Sequence, residues 1–379
     1  MYQVTIIGGG LGGLTLSILL KKAGYAVLLI EKNSYPMHRV CGEYISNESK
    51  SFLTTLLPHI NFNDFPQINN FQLSATDGTL FQTKLSLGGF GISRYILDDE
   101  LYKEALKLGV HIHTKETVLD VQKQHHIYEI ETTHDKYQSI LVVGAFGKRA
   151  NLDFKWKRNF TLIKPAIKNN FIGIKYHINY PFPSNSIALH NFKDGYCGIS
   201  NVENGKTCLC YLTTAKNLQK FNGNINKMEE GVLFKNPHLK KIFTTAQFLW
   251  DEPKTIAQIN FHAKTCIEND ILLIGDAAGL ISPLSGNGMS ISMHSGLLVF
   301  ELIDLFFNNK INKSDLYKLY DKKWKNCFSK RLATGRFVQQ IFGQPFLSLA
   351  LVHTLNLFPF LSNPLIQSTH GKEFVLKKQ

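Results

Sequence analysis

The residue pattern predicts an α/β fold: a Rossmann-like domain with a parallel sheet that carries an inserted antiparallel β-sheet domain and ends in helices. Three observations predict it. An apolar strand, Val4–Ile7, turns through Gly8-Gly9-Gly10 into an apolar helix, Gly12–Ala23, and returns as a second apolar strand, Ala26–Ile30. The stretch from about 151 to 264 is mostly β, with short alternating runs separated by turns. A last buried-type strand, Ile271–Ile274, leads into a long apolar helix from about Ser290 to Phe307.

Each element has its own justification. Gly8, Gly10 and Gly13 stand at the three positions of G-x-G-x-x-G. The first allows the tight turn, the second lets a pyrophosphate reach the backbone, and the third lets helix pack on strand. The helix N-terminus, with unpaired N–H groups and its dipole, favours the anion. Gly24 stops the helix, and Glu31 ends the second strand where a carboxylate can accept hydrogen bonds from an adenosine ribose. Strand, glycines, helix, strand and acid together predict a Rossmann-like dinucleotide site, with NAD and FAD both open at this point. Residues 68–87 alternate around Asp77-Gly78, a hairpin dipeptide that belongs to a second domain. Gly91-Ile92-Ser93-Arg94 opens a helix with Leu97, Leu101, Ala105 and Leu108 on one face, stopped by Gly109. Strand patterns follow at Val110–His113, Glu116–Val121, Ile127–Glu131 and Ile140–Val143, and the last runs into Gly144-Ala145-Phe146-Gly147. In the second domain Phe171–Ile178, Ser186–His190, Tyr196–Val202 and Cys208–Thr213 read as strands. Beyond the helix at 290–307, Asp315–Thr334 is amphipathic, with Leu316, Leu319, Tyr320 and Trp324 on one side and lysines on the other.

Composition narrows the functional classes. With 379 residues, 44% hydrophobic and 19% charged, the chain suits two globular cores. The formal charge of +13 admits nucleic acid, anionic lipid or an anionic cofactor. No nucleic-acid module is present, and the run from Lys322 to Arg331 reads as a solvated helix face, so no nucleic-acid partner is expected. The six cysteines lack C-x-x-C and metal-ligand spacing, so no metal site is expected. With no signal-peptide pattern, they point to a reducing cytoplasm. Phe337–Gly371 carries no Asp, Glu, Lys or Arg, but Gly343, Pro345, Pro359 and Pro364 interrupt it. It reads as helices capping the core, and alternatively as an interfacial face or an apolar substrate entrance, so peripheral membrane association is an expectation.

Three separated pieces then combine. The N-terminal glycine turn with Glu31, Arg94 ahead of its helix, and Gly275-Asp276 with Pro283 and Gly286-x-Gly288 resemble the FAD-dependent group sharing the p-hydroxybenzoate hydroxylase fold. That group includes aromatic monooxygenases, flavin-dependent halogenases and geranylgeranyl reductases. Cys41-Gly42-Glu43, and the strand entered through Gly195-Tyr196-Cys197, look most similar to the geranylgeranyl reductase branch, with Cys197 in place of that branch's tryptophan. Asp276 can accept from a ribityl hydroxyl, and the helix beginning near Met289 points its positive end at the flavin. An NAD-only protein has no use for this second motif, so non-covalent FAD is expected, with NAD(P)H as a transient reductant.

The resemblance implies an FAD-binding domain in three pieces, 1–67, 91–150 and 266–310. A substrate domain from 68–90 and 151–265 and a C-terminal helical region at 311–379 complete the chain. It further implies cofactor contacts from Gly8, Gly10, Leu11, Gly12, Gly13, Leu14, Glu31, Lys32, Arg39, Val40, Cys41, Arg94, Val118 and Gly144. Contacts from the late motif are Gly275, Asp276, Pro283, Gly286, Asn287, Gly288 and Met289. Cys41 and Glu43 would lie near the isoalloxazine, with His190 and Tyr196 on the substrate side, as catalytic candidates. The chain departs from the group at Phe146-Gly147, where Asp-Gly is usual, which bears on how NAD(P)H docks and leaves a ferredoxin-like donor as the alternative. The expected reaction is oxygenation of an apolar aromatic or lipid-like substrate through a flavin C4a-hydroperoxide. Reduction of a prenyl double bond is the alternative. Halogenation is a minor option, because the only tryptophans are Trp156, Trp250 and Trp324 and the Trp-x-Trp-x-Ile-Pro signature is absent. A flavoprotein that binds without catalysis is another.

Overall fold

The computed structural model describes residues 1–163, 170–280 and 286–376. In chain order its elements begin β1 (Tyr2–Ile7), α1 (Leu11–Lys22), β2 (Val27–Glu31), β3 (Tyr44–Ser46), α2 (Lys50–Leu56), β4 (Gln67–Ser74), β5 (Leu80–Gly91) and α3 (Arg94–Lys107). Then follow β6 (His111–Thr114), β7 (Val118–Gln124), β8 (Ile127–Thr132), β9 (Lys136–Gly144), α4 (Asn151–Lys155) and α5 (Asn159–Leu162). Next come β10 (Phe171–Asn179), β11 (Ser186–Phe192), β12 (Gly195–Asn201), β13 (Thr207–Thr214), α6 (Ala215–Lys220), α7 (Ile225–Val232) and α8 (Pro237–Thr245). The chain closes with β14 (Gln247–Phe248), β15 (Lys254–Ile259), β16 (Ile267–Glu268), β17 (Ile271–Leu273), α9 (Gly288–Phe307), α10 (Lys313–Ile341), α11 (Pro345–Leu357) and α12 (Ser362–Thr369).

The first sheet runs β16-β17-β9-β1-β2-β6, with the β7–β8 hairpin attached to β9. Its centre is parallel: β1 pairs with β2 and β9, and β9 with β17. The central strands are mostly apolar, and Val27–Glu31 is buried at every position. Helix α1 is buried from Leu11 to Leu20, so it has no solvent face to mark it as amphipathic. It is gripped between the sheet and α9: a Cβ on Gly12 would lie 2.8 Å from Ser292 Oγ, and one on Gly296 3.0 Å from the Gly12 carbonyl. These two glycines bring the N-termini of α1 and α9 to one place.

The second sheet runs β14-β10-β13-β12-β11-β4-β5-β3, with β15 on the edge of β10. It is antiparallel except that β4 and β11 run parallel. One face packs on α7 and α8 through Ile174, Tyr176, Leu209, Tyr211, Met228 and Leu239. The other face looks across the interior toward α10, α11 and α12. Expectation and structure differ in two places. The region 151–265 is less purely β than its alternating strands suggest, because α6–α8 fill 215–245. Tyr44–Ser46 pairs with β5 in the second sheet although it lies inside 1–67. One described helix, Gly288–Phe307, is long and apolar enough to cross a membrane, but 61% of its apolar window is buried within the protein.

Candidate active site

The three glycines of the first turn play different parts. Gly8 takes φ +106°, and a Cβ there would lie 2.5 Å from the Ala145 carbonyl oxygen. A Cβ on Gly13 would come 2.0 Å from the Gly8 oxygen, so only glycine lets α1 lie this close to β1. Gly10 is the opposite case: among the described residues nothing lies within 4 Å of its Cβ position, which opens on a large cavity. Gly10 also starts α1 without a capping side chain, leaving the first-turn N–H groups free for an anion.

That cavity, of about 1050 Å³, runs from the end of β2 to the second sheet and the C-terminal helices. At its first end lie Glu31, Lys32 and Val118. Glu31 Oε2 accepts from Gly9 N at 2.8 Å, while Oε1 accepts from Asn33 N at 3.0 Å and Asn33 Nδ2 at 2.9 Å. The carboxylate therefore braces the glycine turn from inside and keeps only its remaining lone-pair direction for a ligand. Arg39 reaches the same place. Its Nε donates to Asp98 at 3.1 Å, but its buried Nη2, 3.5 Å from Glu31 Oε2, makes no hydrogen bond among the described residues.

Around the middle of the cavity the second motif closes in. Gly275, at φ +58°, sits against Ser292, and Asp276 lines the cavity, its pKa raised by burial against the pull of Lys148, Lys264 and Arg94. Gly286, at φ +64°, leaves room for the Tyr44 ring, which a Cβ would approach to 2.8 Å. Gly288 and Met289 begin α9 and line the cavity. Asn287 does not cap that helix; its side-chain amide donates to the Thr369 carbonyl at 2.7 Å. Two uncapped helix N-termini thus face one cavity. Gly12, Gly13, Leu14, Gly144, Gly275 and Asn287 lie outside its lining and act by shaping the turn and the helix contact. Pro283 falls outside the described residues.

Arg94 anchors the loop ahead of β3. Burial opposes its charge, but Asp98 accepts from its Nε at 2.6 Å and Nη2 at 2.7 Å and pushes the guanidinium pKa up. Asp98 is fully buried and also holds Arg39, so one carboxylate fixes both arginines. Val40, Cys41 and Glu43 line the cavity, with Cys41 Sγ 3.7 Å from Met289 Sδ. Glu43, at φ +56° and fully buried, accepts from Arg94 N at 2.8 Å, Lys175 Nζ at 2.5 Å and His177 Nε2 at 2.6 Å. Burial alone would raise its pKa, but Lys175 and His177 outweigh that and hold it down at about 2. Glu43 is therefore an ionised anchor joining the loop, α3 and β10, which does not suit a proton donor. The donor atoms of Glu43, His177 and Cys208 lie within 4.8 Å of one another, a spacing compatible with a metal. The Lys175 ammonium already supplies the cation there, and burial raises the Cys208 thiol well above its ordinary value.

The far end of the cavity is apolar. Phe71, Leu73, Leu189 and Leu212 come from the sheet, and Phe342, Leu351, Leu355 and Ile366 from the C-terminal helices. Tyr196 stands among them, 4% exposed, its ring edge-on to Phe342 at 5.8 Å. Among the described residues its hydroxyl has no hydrogen-bond partner, and burial keeps it protonated. His190 is not in this wall. Strand alternation sends Leu189 to the cavity and His190 to the other face. There His190 Nδ1 lies 2.9 Å from Ser74 Oγ and the ring stacks on His238 at 5.1 Å. Burial, with His238, lowers its pKa to about 3.

Sequence reasoning missed Lys175, His177 and Asp98. The available signal was Lys175-x-His177, two ionisable side chains on the same side of an otherwise apolar strand, which need a buried counter-charge. It also missed the aromatic cluster of His38, whose ring lies 4.5 Å from Tyr95 and 4.6 Å from Trp250. Phe146 packs edge-on against Trp156 at 5.9 Å and lines the cavity, so an aromatic wall stands where the expected family motif carries an acid.

The observations fit a bound FAD: an Arg39 Nη2 that is ion-paired with Glu31 but has no hydrogen-bond partner among the described residues, a cradle at Gly10 that a side chain would fill, and two convergent helix N-termini. Comparison with known proteins agrees with that arrangement. The family described as pyridine nucleotide-disulphide oxidoreductase matches residues 5–162. A 1H-pyrrole-2-carbonyl-[peptidyl-carrier protein] brominase of Pseudoalteromonas luteoviolacea is 23% identical over 347 residues, covering 86% of this chain and 82% of its own. A digeranylgeranylglycerophospholipid reductase of Methanococcus vannielii is 24% identical over 357 residues, covering 87% and 84%. Among solved structures, a triple mutant of a flavin-dependent brominase superposes with a TM-score of 0.76 at 19% identity, covering 97% of this chain and 95% of that one.

Proposed function

We propose that the chain is an FAD-dependent oxidoreductase of the group sharing the geranylgeranyl reductase and p-hydroxybenzoate hydroxylase fold, and that it oxygenates an apolar aromatic or lipid-like substrate, a reading supported by the matched family segment and the relatives. The observation that carries the reading is the largely apolar far end of the cavity, in whose wall Tyr196 stands with a buried hydroxyl that has no hydrogen-bond partner among the described residues. An unsatisfied buried donor costs roughly 1–3 kcal/mol, a cost that a substrate oxygen accepting from it removes.

FAD, when bound, supplies the redox chemistry, with NAD(P)H as the proposed source of reducing equivalents. The chain supplies the rest. Gly10 and the α1 N-terminus would hold the pyrophosphate, Glu31 and Arg39 the adenosine side, and Asp276 the ribityl chain. The positive end of α9 would favour negative charge on the flavin. Leu189, Leu212 and Phe342 exclude water, while Tyr196 fixes the ring to be attacked by holding its oxygen. A phenolic substrate gains most from this contact.

Reduction of a prenyl double bond is the second reading, favoured by Cys41 at the cavity wall beside Met289 and by the reductase relative. In that chemistry Tyr196 is the donor positioned to give a proton to carbon. Tyr196→Phe tests the residue, and dependence on oxygen parts the two readings. Oxygenation predicts a fall in kcat/KM of about tenfold to a hundredfold from the lost orienting bond, with FAD content unchanged. Unchanged kcat/KM would remove Tyr196 from the site. Equal turnover without oxygen, yielding a saturated product, would favour the reductase.

A further inference from the structure

The C-terminal segment does two things at once. Its inner residues Leu351, Leu355, Leu365 and Ile366 form a wall of the cavity. Its outer residues are exposed and apolar: Phe346 is 79% exposed, Leu357 74%, Phe358 50% and Phe360 69%. Residues of this kind grouped on one element mark an interaction surface. Helix α11 and the following Pro359–Thr369 segment bend by 113° at Phe358, so that Phe358, Phe360 and Leu361 cluster at the corner. No Asp, Glu, Lys or Arg lies between Phe337 and Gly371. Basic residues border the segment instead. Lys372 follows α12, Arg336 precedes Phe337, and Lys84 lies on β5, to which α11 is tied by Asn356 Nδ2 donating to the Leu80 carbonyl at 3.1 Å. The neighbouring acid Glu373 is engaged by Ser51.

We propose that this bent helical pair, whose inner residues wall the cavity, docks the protein on an anionic lipid bilayer. Aromatic side chains at a helical corner bordered by lysines and arginine fit an interface where acyl chains lie beneath anionic headgroups. A second copy of the chain fits less well, because two molecules each carrying +13 repel. The test of this docking needs no turnover.

FAD-loaded full-length protein is sedimented with vesicles of phosphatidylcholine alone and of phosphatidylcholine with phosphatidylglycerol. Binding is expected to the anionic vesicles, weakened by salt, and lowered at least about tenfold in a Phe358→Ser/Phe360→Ser variant. Both positions are exposed, so melting temperature and flavin content are expected to match wild type. No binding by wild type, equal binding to both vesicles, or binding unaffected by the double variant would overturn the proposal. So would self-association in gel filtration that the double variant abolishes, which would assign the face to a second copy. Absent lipid binding alongside oxygen-dependent turnover of a soluble phenol would overturn docking alone. Lipid binding with oxygen-independent turnover would overturn the oxygenase reading alone.

Discussion

Replacing Gly10 by valine separates a flavin cradle from an ordinary glycine turn. Gly10 has φ −80° and ψ −177°, a conformation open to any residue, and among the described residues no atom lies within 4 Å of its Cβ position. The fold therefore tolerates the change, at a cost of about 1 kcal/mol for a poorer N-cap. The new side chain fills the space through which a phosphate oxygen must come to about 2.9 Å from a backbone N–H. Losing one such charge-assisted bond costs about 1.5–3 kcal/mol, which weakens FAD binding by roughly ten- to more than a hundredfold. Gly13→Ala provides the contrast. Its Cβ would sit 2.0 Å from the Gly8 oxygen, so α1 must move off β1, and stability falls by about 1–3 kcal/mol or more together with FAD binding. Thermal melts of the apoproteins and fluorescence titration with FAD read the two quantities apart. Wild-type FAD affinity in Gly10→Val, or a collapse of its apoprotein stability, would refute the reasoning.

Glu229 gives a pH signature. Burial raises its pKa to about 7, partly offset by the Tyr211 and Tyr176 hydroxyls that donate to it at 2.6 and 2.9 Å. A raised carboxyl contributes stability that is complete below its unfolded pKa of about 4.5 and is lost as pH rises through about 7, on the order of 3 kcal/mol. Glu229→Gln is expected to flatten melting temperature between pH 5 and 8; an unchanged slope would exclude this source. Glu43 runs the other way: its lowered pKa gives stability present above about 4.5 and lost as pH falls toward about 2. Lys175→Met is expected to cost about 3–5 kcal/mol in denaturant melts by stranding Glu43, with much of it recovered in Lys175→Met/Glu43→Leu. No loss in the single variant would mean that the pair does not hold the loop.

Legibility in the sequence followed how local each determinant is. Gly8, Gly10, Gly13 and Glu31 lie within one βαβ unit, so spacing alone carried the turn, its helix and the cavity they open on. Gly275-Asp276 and Gly286-x-Gly288 were legible because each marks a special backbone conformation. The Glu43–Lys175–His177 cluster was not, since its members come from distant parts of the chain and meet only when the loop before β3 crosses β10. His190 was misplaced because a strand of unknown register gives no face to either parity, and a shift of one residue reverses every side chain. The C-terminal helices were legible as apolar, but that they also wall the cavity depends on packing against β4 and β5.

The most direct measurement is turnover of a phenolic apolar substrate by the FAD-loaded protein under labelled dioxygen, with products read by mass spectrometry. One labelled oxygen atom per product, with oxygen uptake matching product one for one, is the expected result. Unlabelled product formed equally well without oxygen, two hydrogens heavier than substrate, would contradict the account.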